Sequence, residues 1–192
     1  MGKIFLSFSF FIYIFAKNIN GKKIMFKIIA CINRKNAIGK DGDLLYNIKN
    51  DLTNFKSMTT NNVVIMGRKT FESLPNGKPL PDRINIVLTK NKDWCTEAND
   101  NLFIVSSIDE AKMVCDTFFP DKEWFIIGGA SIYNECIKRN DVKEMRLTLV
   151  NDDKEGDSYF PSFSENEWKI YYKSMVQGSG NKSFIFEVLK KD

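Results

Sequence analysis

Twice in this chain an unbroken apolar run stops at glycine and passes straight into a helix-starting segment: VVIMGRKT from Val63 to Thr70, and WFIIGGAS from Trp124 to Ser131. A run with no polar face must be covered on both sides. That is the pattern of strands in a parallel sheet with helices packed above and below. Other runs extend the series, and the expected strands are Phe26 to Ile32, Val63 to Met66, Ile84 to Leu88, Phe103 to Val105, Trp124 to Ile127, Met145 to Val150, Trp168 to Tyr172 and Phe184 to Leu189. The last two are separated by Gln177-Gly178-Ser179-Gly180-Asn181, too short and turn-rich for a helix, so they should pair antiparallel. Helices are expected at Ile48 to Met58, Thr70 to Leu74, Ile108 to Phe118 and Ala130 to Ile137, with Ser107 and Glu110 forming a capping box before the third. With 192 residues and no internal repeat or linker, the reading is a single α/β domain. Its core is a central eight-stranded, mostly parallel sheet with an antiparallel C-terminal strand, flanked by about four helices.

Composition narrows the chemistry. The chain has no histidine, which excludes a Ser-His-Asp triad, a Cys-His pair, an HExxH zinc site and an imidazole base. Four cysteines, Cys31, Cys95, Cys115 and Cys136, lie far apart with no CxxC pair, so free thiols in a reducing compartment are expected and no metal site. The net charge of +4 is spread along the chain without a basic run, so no nucleic-acid partner is expected.

The N-terminus stands apart. Ile4 to Ala16 (IFLSFSFFIYIFA) is apolar for 13 residues, between Lys3 and the polar stretch Lys17 to Lys23. That is short of the roughly 20 residues that span a bilayer but fits the apolar core of a secretory signal. No small-x-small cleavage site follows, since Ala16 is succeeded by Lys17 and Asn18, and Leu6 stands where myristoylation needs Ser or Thr. Residues 1–24 are therefore set apart from a domain over 25–192. They are an extension upstream of a true start at Met25, a targeting or anchoring peptide, or a loosely packed arm.

Within the first helix the apolar stripe Ile48, Leu52, Phe55 and Met58 also includes position 51, which is Asp51. A carboxylate on a buried stripe is costly unless a polar group meets it, so Asp51 is either satisfied structurally or held for a ligand. The junctions at Gly67-Arg68-Lys69-Thr70 and Gly128-Gly129-Ala130-Ser131 bring backbone amides, and at the first also positive charge, to the carboxyl ends of strands. That arrangement suits phosphates, and two such junctions suit a dinucleotide, with packing glycines as the alternative. Arg83, in LPDRINIVL behind the Pro79 and Pro81 turn, is placed to fork a carboxylate or else lies on the surface.

Taken together, FKIIACINRKNAIGKDGDLLYNIKNDLTNFK, VVIMGRKTFESL, KPLPDRINIVLT, FIIGGASIY, LTLV, EGDSYFP and SFIFEVL resemble the dihydrofolate reductase family over essentially all of Met25 to Asp192. The resemblance implies NADPH-dependent reduction of 7,8-dihydrofolate to 5,6,7,8-tetrahydrofolate, with hydride to pterin C6 and a water-derived proton to N5. That reaction supplies one-carbon and thymidylate metabolism and is an antifolate target. It makes Asp51 the acid that hydrogen-bonds the pterin 2-amino group and N3, supported by Thr148. Ile29, Cys31, Leu52, Phe55, Leu74, Leu80 and Ile127 become walls of the substrate site, and Arg83 the receiver of the glutamate α-carboxylate. For the cofactor it points to Cys31, Ile38, Gly39, Leu44, Gly67, Arg68, Lys69, Thr70, Leu88, Thr89, Lys90, Ile127, Gly128, Gly129, Ala130, Ser131, Ile132 and Tyr133.

Gly39 to Tyr46 corresponds to the family's mobile loop that closes over the nicotinamide. Here that loop departs from the common Pro-Trp and reads Leu45-Tyr46; the Tyr46 hydroxyl offers a replacement for the indole that anchors a water near the substrate. Lys69 keeps a positive charge where His is often found. The resemblance further implies a cytoplasmic monomer, with no stable membrane partner unless the N-terminal segment anchors. Two rivals remain: a pyrimidine or pterin reductase of the same fold, against which Asp51 together with Arg83 argues, and a folate-binding protein with impaired turnover.

Overall fold

In the computed structural model, which describes residues 25–91, 94, 99–180 and 182–191, the first apolar run becomes the centre of the sheet. The 1–24 segment and Cys95 lie outside the described residues. Strand β1 (Phe26–Asn33) has β7 (Trp124–Gly128) on one side and β8 (Val142–Val150) on the other, both parallel to it. Beyond β7 follow β4 (Val63–Gly67), β5 (Ile84–Leu88) and β6 (Leu102–Val105), again all parallel. Beyond β8 lie β12 (Lys182–Lys191), which is antiparallel to both its neighbours, and then β10 (Trp168–Lys173) at the edge. The eight expected strands thus form the order β10-β12-β8-β1-β7-β4-β5-β6. A short β11 (Gln177–Ser179), formed in the turn-rich link, folds back on β12 and makes the sheet nine-stranded.

A second, three-stranded sheet was not expected. It joins β2 (Ala37–Lys40), β3 (Asp43–Leu44) and β9 (Ser158–Tyr159). These strands are two to four residues long: β2 and β3 form a hairpin closed by Asp41 and Gly42, both at positive φ (+54° and +81°), and β9 joins it by long-range pairing. A Cβ on Gly39 would come within 2.8 Å of the Asp43 carbonyl oxygen, so the close approach of β2 and β3 needs that glycine. The segment that the resemblance marks as a mobile loop thus includes the β2–β3 hairpin, which pairs with β9.

Four α-helices complete the described fold: α1 (Lys49–Thr59), α2 (Arg68–Glu72), α3 (Ile108–Phe118) and α4 (Ala130–Cys136). Helix α2 starts two residues before its expected Thr70, because extended Gly67 serves as its N-cap. The Ser107 hydroxyl caps α3 by accepting from the Glu110 amide at 3.1 Å, while the Glu110 carboxylate reaches back one residue further than expected, to the Ser106 amide.

Both faces of the central strands are buried, as their composition requires. On one face Phe26, Ile28, Ile65, Ile86, Trp124 and Ile126 pack against Ile108, Ala111 and Cys115 of α3 and Ile132 and Cys136 of α4. On the other, Val64, Met66 and Val87 pack with Phe71 of α2 and the partly buried Leu74 and Leu80. Burying such a side chain contributes about 1.5–3 kcal/mol, so the junctions at Gly67 and Gly128 rest on strands held by packing on both faces. Cys31, Cys115 and Cys136 are all free thiols.

Candidate active site

Strands β7 and β8 are consecutive in this order of the chain yet lie on opposite sides of β1. Such a change of direction opens a crevice beyond the carboxyl ends of the strands, the place where open α/β sheets hold ligands. Asp51 reaches it from the first turn of α1, and Thr148 from β8, where it pairs in register with Cys31 of β1. The Thr148 hydroxyl donates to Asp51 Oδ1 at 2.5 Å. Burial pushes the Asp51 carboxyl above its ordinary range, and the Thr148 bond opposes that rise.

The stripe on which Asp51 lies is not sunk in the core as its composition suggests. Leu52 is 38% exposed, Phe55 and Met58 are half-buried, and Thr59 is the one fully buried residue of α1. An apolar face left open beside a desolvated carboxylate forms half of a cleft, to be covered by something apolar with a polar edge. The floor is protonated and neutral. Burial and the Asp51 charge push the Cys31 thiol up, and burial does the same to the Tyr133 phenol, whose hydroxyl donates to the Ile29 carbonyl at 2.8 Å.

Arg83 is buried, not on the surface. Its Nε donates to Thr59 Oγ1 at 3.2 Å and one terminal nitrogen to the Pro81 carbonyl at 2.6 Å. Among the described residues no carboxylate forms an ion pair with it, and burial lowers its pKa, an effect partly offset by the charge of Asp82. Thr59 ends α1 and Asp51 opens it. Eight residues at 1.5 Å each therefore set Asp51 and Thr59, the residue that Arg83 bonds, about 12 Å apart along the axis of α1.

The two glycine junctions converge. A Cβ on Gly129 would meet Thr70 Oγ1 at 3.0 Å, and a Cβ on Gly67 would meet Ile132 at 3.2 Å. Gly128 has φ +107° and leaves room for the Tyr133 ring, which would stand 2.9 Å from any Cβ there; a cis peptide bond joins it to Gly129. No side chain caps α2 or α4 at Gly67 or Gly129, so the first amides of both helices stay open to an anion. Lys69, Lys90 and Ser131 are exposed around this cradle, with Thr89 and Ala130 half-buried. Leu88 and Ile132 belong to the core and support the cradle from below. One terminal nitrogen of Arg68 donates to both carboxylate oxygens of Glu72, at 2.8 and 2.9 Å, and Glu72 also accepts from Trp94 Nε1 at 3.0 Å.

Gly39 and Ile38 lie in β2, and Leu44 in β3 projects outward, 63% exposed. Tyr46 is buried, and its hydroxyl is turned to protein groups: it accepts from Asn33 Nδ2 at 3.0 Å and donates to Asp152 Oδ2 at 2.9 Å. Burial pushes this phenol up to about 12. Asn33, Asp152 and Lys182, which meet here, carry no motif or spacing in the sequence that would have marked them. Among the described residues no group of three or more Cys, Asp or Glu side chains is placed to hold a metal.

Comparison with known proteins agrees with this geometry. The profile of the family described as dihydrofolate reductase matches residues 25–191. A dihydrofolate reductase of Bacillus subtilis (strain 168) is 38% identical over 169 residues, covering 86% of this chain and 92% of that protein. A type 3 dihydrofolate reductase of Salmonella typhimurium is 32% identical over 164 residues, covering 85% and 95%. Among solved structures, dihydrofolate reductase from Enterococcus faecalis complexed with NADP(H) and RAB-propyl superposes with a TM-score of 0.76 at 26% identity, over 88% of this chain and 96% of that one. With the desolvated acid, the open apolar cleft and the paired glycine junctions in place, the chain belongs to the dihydrofolate reductase family and is an oxidoreductase that converts dihydrofolate to tetrahydrofolate.

Proposed function

We infer that NADPH is the reductant and that Asp51, Thr148 and Arg83 hold the 7,8-dihydrofolate. One observation carries the assignment: a threonine-held carboxylate in an apolar cleft, with a buried guanidinium that has no ion-pair partner among the described residues at the far end of the same helix. A ligand matched to that ruler has an amino-bearing ring edge at one end and a carboxylate at the other. A pyrimidine substrate without a glutamate tail gives Arg83 nothing to bind, which weighs against that rival.

In this reading the ionised Asp51 accepts from the pterin 2-amino group and N3, while the Thr148 hydroxyl fixes the orientation of the carboxylate. Leu52 and Phe55 lie on the rings and exclude water, Ile29, Cys31, Leu74, Leu80 and Ile127 complete the walls, and the charge of Asp51 favours protonation of N5 by water. Bound NADPH supplies the hydride that C6 receives. The open amides that begin α2 and α4, with Arg68, Lys69, Thr70, Thr89, Lys90 and Ser131, would hold its phosphates, while the missing Cβ atoms of the glycines let Thr70, Ile132 and Tyr133 pack the two junctions together. Steady-state NADPH oxidation with dihydrofolate tests the whole reading. Turnover excludes a binding protein without activity, and oxidation supported only by a tail-less pterin or pyrimidine overturns the substrate assignment.

Arg68 sets the preference for NADPH over NADH, with Lys69 or Lys90. Its present partner Glu72 is half-exposed, so a 2′-phosphate can displace it without uncovering a buried charge. Charge-assisted hydrogen bonds contribute about 1.5–3 kcal/mol each, so Arg68→Ala is expected to narrow the NADPH/NADH ratio of kcat/KM by roughly tenfold or more. An unchanged ratio rules the role out.

Residues 1–24 are dispensable for the fold. The first described strand is complete from Phe26, whose amide already bonds to the Asp141 carbonyl at 2.9 Å. A chain started at Met25 is expected to keep its activity, solubility and melting temperature; a large fall in the last would assign the segment a structural part. No helix among the described residues is long and apolar enough to cross a membrane. The free thiols among the described residues favour a reducing cytoplasm, and the reading is of a monomer acting on small molecules, not on nucleic acid.

A further inference from the structure

The polar node around Tyr46 gathers four segments that are far apart in the sequence. Asn33 ends β1 and is 2% exposed. Its Nδ2 donates to the Tyr46 hydroxyl and to the Lys154 carbonyl at 2.8 Å, and its Oδ1 accepts from the amides of Lys35 and Ala37 at 3.0 and 2.9 Å. The side-chain amide is thus fully used, and it locks the β1–β2 turn to the loop that follows β8. Asp152, in that loop, accepts at one oxygen from both the Tyr46 hydroxyl and Lys182 Nζ, the latter at 2.5 Å. Lys182 opens β12 and stands 5.4 Å from the centre of the Tyr46 ring. Below, the ring packs with Ala37, Leu45, Ile48, Val150 and Phe184.

Tyr46 lies on the four-residue stretch between β3 and α1, with the outward Leu44 on one side and Asp51 on the other. No β-ladder holds this stretch; its fastening is the Leu45 amide on the Ile38 carbonyl at 3.1 Å, the buried packing, and the Tyr46 node. We propose that Tyr46 is a positioning residue: through Asn33, Asp152 and Lys182 it latches the β3–α1 stretch to the ends of β1, β8 and β12, and so holds Leu44 over the cofactor side of the crevice. The hydroxyl expected to anchor a water at the substrate is spent on this latch. Loss of the latch frees the segment without touching Asp51 or Thr148, and its effect falls on ligand release.

Tyr46→Phe keeps the ring and removes the hydroxyl, and Asp152→Ala removes the acceptor. In the full chain each is expected to raise amide hydrogen exchange across residues 41–48 by about tenfold, the scale of one lost hydrogen bond to a charged partner. Exchange in β4 and β5 stays unchanged, and NADPH release quickens by a similar factor. In the double variant the second change adds little, because both act on one contact. The exchange experiment needs no cofactor, so it stands even if the cofactor reading, on which the release experiment rests, fails. Exchange over 41–48 that does not move, a rise spread evenly over the central sheet, or full additivity in the double variant would each overturn the proposal. If Asp152→Ala does not fold, Tyr46→Phe alone carries the exchange test, since it removes the hydroxyl and leaves the ring packing in place.

Discussion

Asp51→Asn is expected to cut hydride transfer about 10²-fold or more at neutral pH, a typical scale for lost acid–base assistance, while binding weakens only modestly. Asparagine still meets the Thr148 hydroxyl and offers one acceptor to the pterin edge, so the ring keeps its place. What disappears is the negative charge that raises the basicity of N5. Acid should restore part of the rate, since dihydrofolate protonated in solution no longer needs that help. Single-turnover rates across pH are the measurement. Near wild-type turnover at neutral pH would make Asp51 a structural carboxylate, whatever the family.

The same substitution has a second signature, in stability. Burial raises the pKa of Asp51 in the folded chain above its unfolded value. Between those two values the folded state binds more protons, so protonation of Asp51 contributes stability that is present below the unfolded pKa and lost as pH rises through the folded one. At neutral pH the ligand-free protein thus carries a destabilising charge that the asparagine variant lacks. The variant is expected to melt higher than wild type near neutrality, with the gap closing as pH falls through the folded pKa of Asp51. A site held ready for a ligand carries such a cost; a carboxylate satisfied by the protein alone would show a fall in melting temperature instead.

How far the residues disclosed this arrangement depended on whether the information was local. β4, β5 and β7 were legible because a run such as Val63 to Met66 has no polar face to spare, and each of those four residues is buried. The cap at Ser107 was legible because its partner is three residues away. Asp51 stood out as a charge on an apolar stripe, but whether that stripe faced the core or a cleft depends on what packs over α1, which no local pattern encodes. Strand β9 escaped for the same reason, since Ser158 pairs with Gly39, 119 residues earlier; the β2–β3 hairpin did carry a local signal, the Asp41-Gly42 turn, but its strands are too short to show an apolar pattern. Asn33, Asp152 and Lys182 are ordinary surface-type residues one by one, and only the fold gathers them around Tyr46.

Arg83 shows the same limit from the other side, and it carries the second large effect. In the sequence it was as much a surface arginine as a ligand; in the fold it is 5% exposed, which changes the arithmetic. A guanidinium presents five donors in a fixed fork, and here Thr59 and Pro81 engage two of its nitrogens, both through neutral acceptors. A carboxylate that met the remaining edge would be bound by two charge-assisted hydrogen bonds, each of about 1.5–3 kcal/mol before the cost of desolvation. Arg83→Leu is therefore expected to raise the KM for dihydrofolate by roughly tenfold to a hundredfold. A pterin lacking the glutamate should be nearly unaffected, and kcat should stay within a few-fold, because the reacting atoms sit at the opposite end of α1. Arg83→Lys, which keeps the charge but not the fork, should fall between the two. Since the leucine variant also gives up the bond to Thr59, a general loosening of α1 would raise both KM values together. Equal losses on the two substrates would therefore assign Arg83 to the architecture of the helix, and only a split between them assigns it to the substrate.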